Sequence, residues 1–119
     1  MASTRIMWIE NKSAGDGLAG SARIGRVTYS KSGKSLHYKG KTFASLKGAG
    51  FKANYIDTGT DEEYWISGCS KDGKDALYNV DVVVDEDVLE EYWIDIRNKP
   101  ENVSISAFRS RGKYGVAHT

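Results

Sequence analysis

A chain of 119 residues with 39% hydrophobic side chains is the size of one domain and long enough to bury a core without staples. Its single cysteine, Cys69, excludes an intramolecular disulfide and a thiolate zinc site, and no stretch approaches the roughly 18 apolar residues of a membrane span. The net charge of +1 conceals a segregation: residues 1–60 carry ten Lys/Arg against three Asp/Glu, residues 61–101 carry four against thirteen, and residues 102–119 carry three against none.

The apolar run after Met1–Arg5 is too short for a secretory signal, so a cytoplasmic location is the default expectation. Arg5–Asn11, with Ile6, Met7, Trp8 and Ile9, reads as a first strand, and Lys12–Ser21, with three glycines, reads as a loop. Ala22–Ser30 is β-rich, Ser32-Gly33 marks a turn, and Ser35–Lys39 alternates Leu36 and Tyr38 against His37 and Lys39. Thr42–Leu46 is a short apolar run, and Lys52–Asp57 alternates again. Glu63–Ser67 sets Tyr64 and Ile66 on one face and Trp65 on the other. Asp72-Gly73 is the strongest hairpin signal, leading through Ala76–Tyr78 to the β-branched strand Val80–Val84.

One helix follows, over about residues 86–98. Asp87 with Glu90 has the spacing of a capping box, and Asp85 is the alternative cap. Val88, Leu89, Tyr92, Trp93 and Ile96 fall on one arc of a helical wheel, and Pro100 stops the element. Beyond it, Val103–Phe108 reads as a last strand and Arg109–Thr119 as a basic, flexible tail. Residues 1–100 therefore form one β-rich domain and residues 101–119 a C-terminal extension. Short strands with turns every 6–12 residues and one late helix predict a mainly β, α+β fold. The expected architecture is a small antiparallel barrel or curled sheet, SH3-like or OB-like in size, with the helix covering one end or face. Glu62–Ile66 recurs as Glu90–Ile94, but neither flank matches and the surroundings differ, so the match reads as coincidence.

Catalytic signals are sparse. Gly15-Asp16-Gly17 opens a thiamine-diphosphate magnesium motif, but the Asn pair this motif needs downstream is missing around Tyr38–Ser45. His37 and His118 are the only histidines, and no spacing ties His37 to Ser35, Ser45 or Asp57 as a triad. Cys69 sits near Lys71 in a turn and reads as an ordinary residue. The acids Asp81, Asp85, Glu86, Asp87, Glu90 and Glu91 do not follow a calcium-loop pattern and fit a helix start and a solvated face. No cofactor or metal is expected, and the pattern points away from an enzyme.

Two binding patterns stand out. Lysines from Lys31 to Lys52 interleave with Tyr29, His37, Tyr38 and Phe43, a mixture that in single-stranded nucleic-acid binders tracks phosphates and stacks bases. The alternation turns Tyr38 away from His37 and Lys39, which favours a core ring beneath solvated cations. Trp65 is a candidate exposed anchor for a protein partner, or a core residue if both sheet faces are covered.

Ala22–Val27, Tyr38-Lys39-Gly40-Lys41, Tyr64–Gly68, Lys71–Asp75 and Glu91-Tyr92-Trp93 resemble a family of small uncharacterised bacterial proteins of about this length. Members sometimes carry the label 1-deoxy-D-xylulose-5-phosphate synthase. The resemblance covers residues 5–100 and implies a stand-alone bacterial domain, with no catalytic or binding residues to transfer. The synthase label conflicts with the chain's length and with the incomplete cofactor motif.

The expected function is a non-catalytic binding module that recognises a protein. Single-stranded nucleic-acid binding through the basic N-terminal half is the alternative. The candidate binding residues are Trp65, Tyr38, Lys39, Lys41, His37 and Lys52. Charge segregation also permits head-to-tail self-association.

Overall fold

The computed structural model describes residues 3–12, 22–46, 53–72 and 80–110. Eight strands lie in one sheet: β1 (Thr4–Asn11), β2 (Ala22–Tyr29), β3 (Ser35–Tyr38), β4 (Lys41–Ser45), β5 (Tyr55–Asp57), β6 (Glu63–Gly68), β7 (Val80–Val84) and β8 (Ala107–Ser110). Their order is β1-β6-β5-β4-β3-β2-β7-β8, and β1 also pairs with β2, so the first six strands close on themselves. The expected small antiparallel barrel is therefore present, and β7 and β8 extend from it as a two-stranded wing.

The barrel is built from neighbours in sequence. The tightest hairpin joins β3 to β4, with Tyr38 opposite Lys41 across the two residues Lys39 and Gly40. Both turn residues have positive φ, 46° and 80°, the backbone of a type I′ turn, and Gly40 takes it without steric cost. This places Lys39 at a hairpin tip. β1 spans the barrel seam, pairing with β2 from Thr4↔Thr28 to Glu10↔Ala22 and with β6 from Met7↔Gly68 to Asn11↔Tyr64.

Two cores result, and β1 serves both. Met7, Ile9, Val27, Leu36, Tyr38, Phe43, Tyr64 and Ile66 fill the barrel interior. Alternate residues Ile6 and Trp8 of β1 and Ala22 and Ile24 of β2 point outward into a second core. This explains the unbroken apolar run of β1, since a strand buried on both faces shows no alternation. Val80, Val82 and Val84 complete the outer core on one side; Val88, Tyr92 and Trp93 roof it.

That roof is the single expected helix, α1. It opens as a 3₁₀ turn at Glu86–Val88, passes through an α turn at Leu89–Glu91 and widens to a π turn at Tyr92–Ile96. Its C-terminal end closes through Lys99 N donating to Trp93 O, beside Asn98 in the left-handed region (φ 54°). Asp85 stands at the N-cap position, yet no side chain caps the helix. A 3₁₀ turn at Pro100–Asn102, continued by Ile105 N donating to Asn102 O, uses up residues where the last strand was expected to start. β8 consequently begins at Ala107. The expected Asp72-Gly73 hairpin, the strand at Ala76–Tyr78, the Gly15-Asp16-Gly17 loop and the tail beyond Ser110 fall wholly or partly outside the described residues. No helix among the described residues is long and apolar enough to cross a membrane.

Candidate functional site

The wing leaves the barrel at a fork in β2. One edge of β2 follows β1; the other pairs with β7 in parallel over Ala22–Ile24 and with β3 over Thr28–Tyr29. Between these stretches β3 and β7 diverge, and polar side chains close the gap. Asp85, just past β7, is tied to β2 by its N–H donating to Ile24 O at 2.9 Å. Its Oδ2 accepts from Tyr38 Oη at 2.5 Å, and its Oδ1 accepts from Arg23 Nη2 at 2.7 Å. Lys39 Nζ, from the hairpin tip, lies 3.3 Å from Oδ1, and Arg23 Nε also donates to Tyr38 Oη at 3.2 Å. Gly25 makes the arrangement sterically possible, because a Cβ there would lie 2.5 Å from Tyr38 Cε1 and against Asp85 Oδ2.

Asp85 is only 5% exposed. Burial by itself would push its carboxyl up, but hydrogen bonds from Tyr38 and Arg23, with the charges of Arg23 and Lys39, outweigh it and hold the group below the ordinary carboxylate range. Burial and then the Asp85 hydrogen bond push the Tyr38 hydroxyl well above its usual value. Both groups thus hold fixed protonation states near neutral pH. Each Asp85 oxygen already has donors, so the cluster fixes the wing's root in place.

The wing has one covered and one open face. Phe108 of β8 stacks near Tyr92, with centroids 6.5 Å apart, and meets Trp93 at 5.4 Å. Trp93 Nε1 donates to Ile105 O at 2.9 Å, fixing the approach to β8. The opposite face carries Val83 (38% exposed) opposite Ala107, and the Asp81–Arg109 ion pair. Ile105, two residues before Ala107, is 37% exposed.

The register also determines where the backbone of β8 points. Val84 N donates to Ser106 O at 2.8 Å, and the antiparallel register continues through Val83↔Ala107, Val82↔Phe108 and Asp81↔Arg109. Hydrogen-bonded pairs alternate with non-bonded ones in such a ladder, so Phe108 faces β7, while the N–H and C=O groups of Ala107 and Arg109 point outward. Both residues are exposed, and among the described residues no strand lies beyond β8.

The structure scatters the residues singled out in the sequence. Tyr38 and Lys39 meet at the fork. Tyr38 is 7% exposed and its ring belongs to the barrel core. Lys41 lies beside Asp57, with Nζ 3.4 Å from Oδ2, and Asp57 is held low first by the Gly59 N–H and also by Lys41. His37 is exposed, with Nδ1 3.1 Å from Thr42 Oγ1. Trp65 is half-buried against the outer core, opposite Glu10 in β1. Buried Glu10 accepts from Trp8 Nε1 at 3.1 Å and pairs with Lys12 at 2.8 Å. Lys52 lies outside the described residues. Arg23 and the β8 edge carry no signal in the sequence pattern, and Asp85 reads there only as a helix cap within an acidic run, although Gly25 inside a strand pattern is a signal of close approach. Among the described residues no three His, Cys, Asp or Glu side chains gather as a metal site. The chain matches no model of a known protein family, no curated protein and no solved structure.

Proposed function

We propose that the protein is a non-catalytic binding module that takes an extended segment of a partner protein as an added strand along β8. The observation that carries this reading is the outward-pointing backbone of Ala107 and Arg109 on a strand whose other edge pairs with β7 and whose Phe108 packs, partly buried, against the outer core. Strand addition draws its affinity from such main-chain groups, and adjoining apolar side chains supply selectivity. Val83 and Ile105 are the exposed apolar groups beside this edge. In the docked state the fork cluster and the Tyr92–Trp93–Phe108 aromatic contacts present the edge as a preformed strand, so the ordering cost of binding falls mainly on the partner.

The nucleic-acid reading has exposed cations at Lys31, Lys34, Lys39 and Lys41, but the Tyr38 and Phe43 rings lie in the barrel core, away from any base. Strand addition is therefore the reading the geometry favours.

The test is an amide-shift titration of labelled protein with a panel of extended, Val/Thr-rich peptides. Binding is expected to shift the Ala107 and Arg109 amides and slow their exchange. Arg109→Pro removes an outward N–H without removing a ladder bond, so it should abolish binding while costing less than about 1 kcal/mol of stability. Arg109→Ala keeps that N–H and should still bind. Unchanged affinity in Arg109→Pro, or shifts confined to the Lys39–Lys41 region, would sink the reading.

A further inference from the structure

A second surface feature involves none of the β8 residues. Where β1 begins, Ser3, Thr4 and Arg5 face the loop Tyr29–Gly33 across a cleft of about 440 Å³. Tyr29 N donates to Ser3 O at 2.8 Å, joining its two walls. The loop is internally braced: Ser30 N donates to Ser35 O, Gly33 N to Ser30 O, and Ser35 N to Ser30 Oγ, at 2.9, 2.9 and 3.1 Å. Gly33 has φ +75°, which lets the chain reverse there.

The chemistry of the lining is one-sided. Its walls include two cationic residues, Arg5 and Lys31, and the hydroxyl-bearing residues Ser3, Thr4, Tyr29, Ser30 and Ser32, with no carboxylate; Ser30 Oγ and Ser32 Oγ lie 3.4 Å apart. Neither cation belongs to any ion pair among the described residues. The Arg5 guanidinium lies over Gly68 in β6, where a Cβ would come within 2.6 Å of Nη2, so a missing side chain provides its seat. The neighbouring cleft of about 330 Å³, on the α1 side of Arg5, contains Glu91 and Asp95, with Glu91 paired to Arg26. Negative charge is thus confined to that side.

A seated guanidinium, an ammonium and several hydroxyls around an acid-free cleft match a tetrahedral, multiply charged oxyanion. Arg offers a planar donor fork to two oxygens, Lys adds a point charge, and hydroxyls donate to the others. We propose that this cleft binds a phosphoryl group, presented either as a small soluble phosphate or as a phosphomonoester lipid headgroup.

The test titrates labelled full-length protein with inorganic phosphate at constant ionic strength, with sodium chloride as control. A parallel arm measures co-sedimentation with phosphatidylcholine vesicles with and without phosphatidic acid. Saturable shifts at Arg5, Lys31 and Gly33 are expected with phosphate and not with chloride. Lys31→Gln, on an exposed loop, should weaken binding about tenfold, as should Arg5→Gln. Arg5→Lys, which keeps the charge and loses the fork, should fall between. Thermal melts of each variant separate lost binding from lost folding. Co-sedimentation only with phosphatidic acid would identify the lipid source, and phosphate binding without it the soluble one. Equal responses to chloride and phosphate together with no vesicle binding, or unchanged affinity in Lys31→Gln, would overturn the proposal.

Discussion

Gly25→Ala is expected to destabilise the protein by about 3 kcal/mol, lowering the melting temperature by roughly 10 °C. The added methyl would meet Tyr38 Cε1 at 2.5 Å and the Asp85 carboxylate, both buried and neither free to swing away. Tyr38 is packed in the barrel core, and Asp85 is held by the Tyr38 hydroxyl, Arg23 and Lys39. Relief requires β2 to move from β3 or from β7, which would open the fork. Urea unfolding should show a lower midpoint. Combining the change with Asp85→Ala should cost less than the two separate losses, because the second substitution removes one obstacle to the new methyl. Strict additivity would show that the crowding lies elsewhere.

Asp85→Ala is expected to cost about 2–3 kcal/mol by itself. It leaves the Tyr38 hydroxyl without its carboxylate and removes the side-chain tie between the barrel and the wing's root, while the β2–β7 ladder remains. The loss stays below that of a fully enclosed ion pair because the Arg23 and Lys39 side chains, 45% and 55% exposed, regain water. The pH dependence has a defined sign. A carboxyl whose folded pKa lies below its unfolded value of 3.8 contributes stability above that pH. The contribution is lost as pH falls through the folded-state value. Asp57, lowered mainly by the Gly59 N–H, acts in the same direction. Stability should therefore be level near neutral pH and drop below about pH 4, more steeply in the wild type than in Asp85→Ala. Parallel acid profiles for the two proteins would contradict the role assigned to Asp85.

Local pattern revealed the strands more fully than their partners. The β-branched run Val80–Val84 coincides with β7, and the apolar arc from Val88 to Ile96 is the face that α1 buries. Period and composition act over a few residues, so they marked these elements but not the parallel pairing of β7 with β2. Asp85 shows the limit. Beside Glu86 and Asp87 it reads as a cap, because capping is local, yet its side-chain partners Tyr38 and Arg23 stand 47 and 62 residues away. The β8 edge was hidden differently: side chains carry the sequence signal, whereas the groups that make Ala107 and Arg109 available belong to the backbone. Within the Lys31–Phe43 part of the basic stretch, alternation set the buried Tyr38 ring apart from the exposed His37, but Lys39, turned back by the hairpin, lies 5.7 Å over that ring and beside Asp85.

The parallel pairing of β2 with β7 also bears on the order in which the chain assembles. Five antiparallel pairings, from β1–β2 to β5–β6, join consecutive strands and form with little loop-closure entropy, whereas Ala22↔Val82 waits for a segment 60 residues downstream. Docking of β7, α1 and β8 is thus a late step, and its reversal is the cheapest large opening the molecule has. In that half-open species the barrel interior stays dry while Trp8 meets water. Amides of β7 and β8 should then exchange with deuterium ahead of those in β3 and β4, with a red shift of tryptophan emission preceding global unfolding.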